Sequence, residues 1–129
     1  MALALILCDQ LDQDSRTGKF NLTGTFFQFD ARRFPIARTM CVYVCMTDGR
    51  GKTPVRVRLI DVDEERPPVF DYSLVIDFEE PGLVIEFGAE ASDSWFTAPG
   101  KYRLQLIAAD ATILERSIYV DLLPSEQEN

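Results

Sequence analysis

Val55-Arg56-Val57-Arg58-Leu59 decides the fold class. Successive side chains of an extended strand point to opposite faces, so this stretch sets three aliphatic residues on one face and two arginines on the other. The same period of two returns along the chain. Tyr102, Leu104 and Leu106 alternate with Arg103 and Gln105, and Phe70, Tyr72, Leu74, Ile76 and Phe78 alternate with Asp71, Ser73, Val75 and Asp77. Ile118, Val120 and Leu122 alternate with Tyr119 and Asp121; the stretches starting at Phe20 and Leu83 behave alike. Leu3 to Cys8 and Met40 to Met46 are apolar on both faces, which fits central strands covered on both sides. The pattern predicts about eight strands, near 2–8, 19–29, 38–47, 54–62, 69–78, 82–90, 100–109 and 112–122. No segment carries a helical stripe; residues 91–98 have room for one helical turn, with Ser92 as its cap.

Turn chemistry divides these strands. Asp48-Gly49-Arg50-Gly51 supplies glycines for positive φ and is expected to close a hairpin between the third and fourth strands. Pro67-Pro68 lacks two backbone donors and must leave the ladder. Pro81-Gly82 and Pro99-Gly100 restart strands, and Asp110-Ala111-Thr112 is short enough to join the last two strands directly. Segments 9–18 and 30–37 are the longer crossings. Strands without intervening helices fold as a sandwich or a barrel. Long crossings mixed with hairpins favour an all-β, two-sheet antiparallel β-sandwich with an immunoglobulin-like Greek key. Residues 1–124 are expected to form this single domain, with 125–129 as a polar tail.

Composition narrows the function classes. The 129 residues hold 13 Lys+Arg against 21 Asp+Glu, a net charge of -8, which disfavours nucleic acid and anionic membrane partners. Histidine is absent, so Ser-His-Asp and Cys-His nucleophile pairs and His-containing metal sites are excluded. Cys8, Cys41 and Cys45 are odd in number and form no CxxC pair. Cys41 and Cys45 in one strand are about 13 Å apart, too far for a disulfide, so three reduced thiols in the cytoplasm are expected. The apolar run Ala2 to Cys8 has no preceding base and Leu7 is not small, so a starting strand explains it better than a lipoprotein signal. No stretch approaches the length of a membrane span.

Leu7-Cys8-Asp9, then Thr17-Gly18-Lys19 and Gly24, then Tyr43 and Thr47-Asp48-Gly49, then Val57-Arg58-Leu59-Ile60-Asp61 together resemble a family of short bacterial proteins of unknown function. Pro99-Gly100-Lys101-Tyr102-Arg103-Leu104 resembles a late strand of bacterial immunoglobulin-like domains. The resemblance implies a small immunoglobulin-like β-sandwich and carries no activity or catalytic residue.

Candidate sites are few. Trp95 and Phe96 are expected in a loop, either plugging one end of the sandwich or forming a contact surface. Arg56 and Arg58 share an outward face, where Glu86 or Asp77 could pair with them across strands. Tyr43, Trp95 and Tyr119 would line a ligand face if one exists. Phe26, Phe27 and Phe29 cannot all point one way, so at least one faces away from the core. The acidic run Asp61, Asp63, Glu64 and Glu65 is the densest candidate for a calcium site, followed by Asp9, Asp12 and Asp14; neither matches an EF-hand loop, and a solvated acidic loop explains each. No catalytic residue and no cofactor is assigned. The expected function is therefore a non-catalytic, cytoplasmic interaction module working through a protein partner or self-association. The alternative is a small-ligand or carbohydrate-binding module, with calcium assisting.

Overall fold

The computed structural model describes residues 1–63, 66–80 and 82–123. They form nine strands: β1 (Ala2–Gln13), β2 (Phe20–Thr25), β3 (Gln28–Ala31), β4 (Ile36–Met46), β5 (Gly51–Asp61), β6 (Phe70–Phe78), β7 (Ile85–Phe96), β8 (Gly100–Ala108) and β9 (Ala111–Leu122). There is no helix among the described residues. One sheet has the order β2-β1-β4-β7 and the other β3-β9-β8-β5-β6. The expected all-β, two-sheet architecture is present, but one sheet curls into a half-barrel instead of lying as a flat layer.

The core is where alternation placed it. Leu5 and Leu7 of β1 and Met40, Val42, Val44 and Met46 of β4 face Val55, Val57 and Leu59 of β5 and Leu104 and Leu106 of β8. Burying one such aliphatic side chain contributes about 1.5–3 kcal/mol. A run of edge-to-face aromatic rings links the sheets: Phe96 of β7 lies 4.9 Å from Phe29 of β3 and 5.1 Å from Tyr102 of β8. The buried Tyr102 hydroxyl donates to the Ala98 carbonyl at 2.6 Å, so burying the ring strands no polar group.

The two segments read as apolar on both faces, in β1 and β4, are indeed the central strands of the four-stranded sheet. The expected hairpin over Asp110-Ala111-Thr112 joins β8 to β9, with Ala109 and Asp110 at φ 49° and 65° in its two-residue turn. Pro67 and Pro68 sit between β5 and β6, outside the ladder. Pro81 lies outside the described residues.

Five expectations need correction. Asp48-Gly49-Arg50-Gly51 does not close a hairpin: β4 pairs with β1 and β7, whereas β5 pairs with β6 and β8, so the turn carries the chain from one sheet to the other. Asp48 and Gly51 at φ 60° and 62° bend the backbone, but positive φ is equally useful for a crossing. The strand expected over 19–29 is two strands in different sheets, because the chain leaves β1 after Thr25. The sheets are not wholly antiparallel: β3 pairs in parallel with β9, Gln28 opposite Tyr119. Segment 9–13 continues β1 and is not a crossing, since Gln10 to Gln13 pair with Thr23 to Phe20. Residues 91–96 hold no helical turn; they extend β7 against β4, with Trp95 opposite Ala37.

Candidate functional site

The outward face of the five-stranded sheet carries the arginines, as alternation requires. Arg56 reaches diagonally to Asp71, with Nε donating to Oδ1 at 2.7 Å and a second contact closing the fork. This bond, more than simple proximity, holds the Asp71 carboxyl below its usual range and pushes Arg56 up. Arg58 Nε donates to Gln105 Oε1 at 2.7 Å, and Gln105 Nε2 donates to Glu115 Oε1 at 2.7 Å. The partners are thus Asp71 and Gln105. The expected Glu86 belongs to β7 in the other sheet, and Asp77 stands opposite Lys52. A surface ladder of this kind satisfies its own charges.

Tyr43 lies on the outward face of the other sheet. Its hydroxyl donates to Glu86, and its ring stands 5.5 Å from Phe20. Burial, then the Glu86 bond, pushes its hydroxyl well above the usual tyrosine range. Beside it the ribbon of β1 and β2 folds back over the sheet: a Cβ on Gly88 would lie 1.9 Å from Leu11 Cδ2. Under that cover Cys8 and Cys41 are opposite one another and buried. Desolvation, before any neighbouring charge, raises both thiols. Cys45 is half-buried, and all three cysteines are unbridged.

Trp95 and Phe96 are neighbours in a strand, not in a loop, so they point to opposite faces. Phe96 is fully buried and is core; Trp95 is 55% exposed. Tyr119 is exposed on β9, in the other sheet from Trp95 and Tyr43. The structure therefore does not bring Trp95, Phe96, Tyr43, Arg56 and Arg58 to one place. The acidic candidates are also engaged otherwise. Asp61 is buried, pairs with Arg66, and accepts from the Asp63 backbone at 2.9 Å; Glu64 and Glu65 lie outside the described residues. Asp14 accepts from the backbones of Arg16 and Thr17, fixing the β1–β2 turn, and Asp9 pairs with Arg38 at 2.9 Å. Among the described residues no group of three acidic or cysteine side chains is placed to hold a metal.

Sequence reading missed a different feature, the side opening between the sheets. β1 is paired with β4 over Ala2–Cys8, yet its other edge is covered by β2 only from Cys8 onward. β9 is paired with β8 along its length, yet β3 covers its other edge only over Tyr119–Leu122. The chain itself bridges these edges at one point. The Phe26 amide donates to the Leu7 carbonyl at 3.1 Å, and the Phe27 carbonyl accepts from the Tyr119 amide at 2.9 Å. Arg38 fastens this crossing, its guanidinium 4.6 Å from the Phe26 ring and 4.5 Å from the Phe29 ring. Below the crossing lies a groove of about 520 Å³, lined by Leu5, Leu7, Phe26, Leu104, Arg116 and Ile118 among others. No local signal marks it, because it arises from which stretch of each edge is left uncovered. A second groove of about 260 Å³ lies between β6 and β7, bordered by Asp71, Tyr72, Glu90, Ser92 and Ser94.

Residues 3–121 match a family of unknown function, DUF6941. The chain belongs to that family. No curated protein matches it. Among solved structures it is similar to part of a beta-glucosidase from Listeria innocua, with a TM-score of 0.47 and 14% identity. The same enzyme in complex with isofagomine and with glucose gives TM-scores of 0.45 and 0.44, also at 14% identity. The match covers 93% of this chain but only 16% of the enzyme, so this DUF6941 chain spans a small part of that protein's length. No helix among its described residues is long and apolar enough to cross a membrane.

Proposed function

We propose that this DUF6941 protein is a non-catalytic interaction module, an immunoglobulin-like Greek-key sandwich that works in the cytoplasm through protein contacts or self-association. The observation that carries the reading is the apolar edge where β3 meets β9. Phe27 is 67% exposed, Leu122 is 56% exposed, and Tyr119, whose amide bonds to the Phe27 carbonyl, is 43% exposed. Large apolar side chains exposed along a sheet edge, Tyr119 on one face of β9 and Leu122 on the other, are costly in water and gain when a partner covers them. Light scattering on the purified protein, together with cross-linking from a photoreactive residue at position 27 in cells, tests this. A dimer, or a cross-link that Tyr119→Ser abolishes, supports the reading. A strict monomer with no cross-linked species overturns it.

The groove beside Tyr72 favours a second reading, a carbohydrate-binding module, because an exposed ring bordered by Glu90, Ser92 and Ser94 suits a sugar's apolar face and hydroxyls. A thermal-shift screen of mono- and oligosaccharides, with and without calcium, tests it. A shift lost in Tyr72→Ala supports this second reading, and no shift removes it.

A further inference from the structure

We infer that the side groove between β1 and β9 receives an extended peptide segment that adds a strand to the free edge of β9 and brings a carboxylate to Arg116. The inference rests on the interaction-module reading and names its site. Three observations lead to it. First, backbone groups of a strand alternate in direction, so a residue two away from one that faces an edge faces it too. The Tyr119 amide faces the edge, where it meets the Phe27 carbonyl. Ser117 and Glu115 therefore present their amides and carbonyls to the same side, and no described strand pairs with them there. On the facing strand, the Leu7 carbonyl is met by Phe26, and the corresponding groups of Leu5 have no strand beside them. Backbone polar groups at an uncovered edge are a template for one further strand.

Second, the chain's own segment shows how the slot is filled. Phe26 and Phe27 occupy its upper end, one bonded to β1 and the other to β9, with the Phe26 ring packed against the core. The groove continues directly below them. Its walls come from the inward faces of both sheets, and its volume of about 520 Å³ holds a short extended segment laid along β9, not the edge of another folded domain, which would bring its own sheet with it.

Third, Arg116 defines the chemistry of the guest. It stands opposite Leu104 and two residues from the buried Ile118, so it belongs to the inward face of β9. Arg116 is exposed at the mouth of the groove, and its side chain has no ion pair or hydrogen bond among the described residues. A charge on the inward face of a free edge deters pairing with a purely apolar strand, so it selects a guest that brings the opposite charge. A guest with apolar side chains at alternate positions, and Asp or Glu at one of them, covers Leu5 and Leu104 while pairing with Arg116.

The test uses the full chain and a labelled nine-residue peptide of alternating Thr and Val, with one Val replaced by Glu. Fluorescence anisotropy should show saturable binding, and amide resonances of residues 111–118 should shift. Arg116→Glu should weaken binding at least tenfold and reverse the preference toward the same peptide carrying Lys. Ser117→Pro, which removes an edge donor while sparing the β8 ladder, should abolish binding; circular dichroism confirms that each variant is folded. No binding at millimolar peptide, or binding indifferent to Arg116→Glu, overturns the groove assignment. If the peptide fails while the protein still dimerises or cross-links through position 27, the interaction module stands without this groove. Failure of both removes the module itself.

Discussion

The two sheets solve the problem of their outer faces differently. The five-stranded sheet turns a polar ladder to water: Arg56 holds Asp71, and Arg58, Gln105 and Glu115 form a chain of bonds across β5, β8 and β9. The four-stranded sheet covers part of its outer face with its own ribbon, where Leu11 packs on Gly88 and Phe20 on Tyr43 above buried Cys8 and Cys41. A solvated face needs charges that satisfy each other and tolerates substitution. A covered face needs shape, so it should be the more brittle of the two.

The sharpest contrast is between adjacent residues of β7. Phe96→Ala removes a fully buried ring that joins both sheets and should cost about 4 kcal/mol in urea unfolding, whereas the exposed Trp95→Ala should cost less than about 1 kcal/mol. Equal losses would erase the distinction between the two faces of that strand. Gly88→Val pushes the free end of the Leu11 side chain aside and should lower stability by about 1 kcal/mol, the low end of overpacking because that side chain can turn away. Native Cys8 and Cys41 should then react faster with a thiol reagent, because the cover has been lifted.

On the hairpin that ends the solvated sheet, Ala109→Asn combined with Asp110→Gly should raise stability by about 1 kcal/mol, since both positions hold positive φ that Asn-Gly adopts with less strain. A lower melting temperature would contradict the turn geometry. Smallest is Arg56→Gln on the polar ladder, a change of about 0.5 kcal/mol or less at neutral pH. Asp71 is held low in the folded state, so its contribution is present above the unfolded value near pH 4 and fades as pH falls through the folded value. The gap between wild type and Arg56→Gln should therefore close in acid, and an NMR titration of Asp71 in the variant should move up toward the usual range.

The same contrast explains what could be read from the letters. Strands of the solvated sheet, such as Val55 to Leu59, alternate because water lies on one side, and their faces were legible at once. β1 and β4 could be read as central, but not what covers them, since Leu11 meeting Gly88 depends on a fold-back between residues 77 positions apart. Trp95 and Phe96 looked like a loop because Ser92, Asp93 and Ser94 are turn residues; pairing with β4 overrides that preference. The candidate arginines were placed on the correct face with the wrong partners, because register determines which acid stands diagonally opposite. The groove at Arg116 had no local signature at all. It is defined by where β2 and β3 stop.

The parallel pairing of β3 with β9 has a consequence for how the molecule is made. Gln28 and Tyr119 are opposite one another, so a strand synthesised in the first quarter of the chain waits for nearly the last one before its ladder can close. Closing so long a loop must be repaid by contacts formed late, which slows folding relative to chains built from local pairings. During synthesis the backbone edge of β3 stays unpaired until β9 emerges from the ribosome, so this is the interval in which a chaperone would find it.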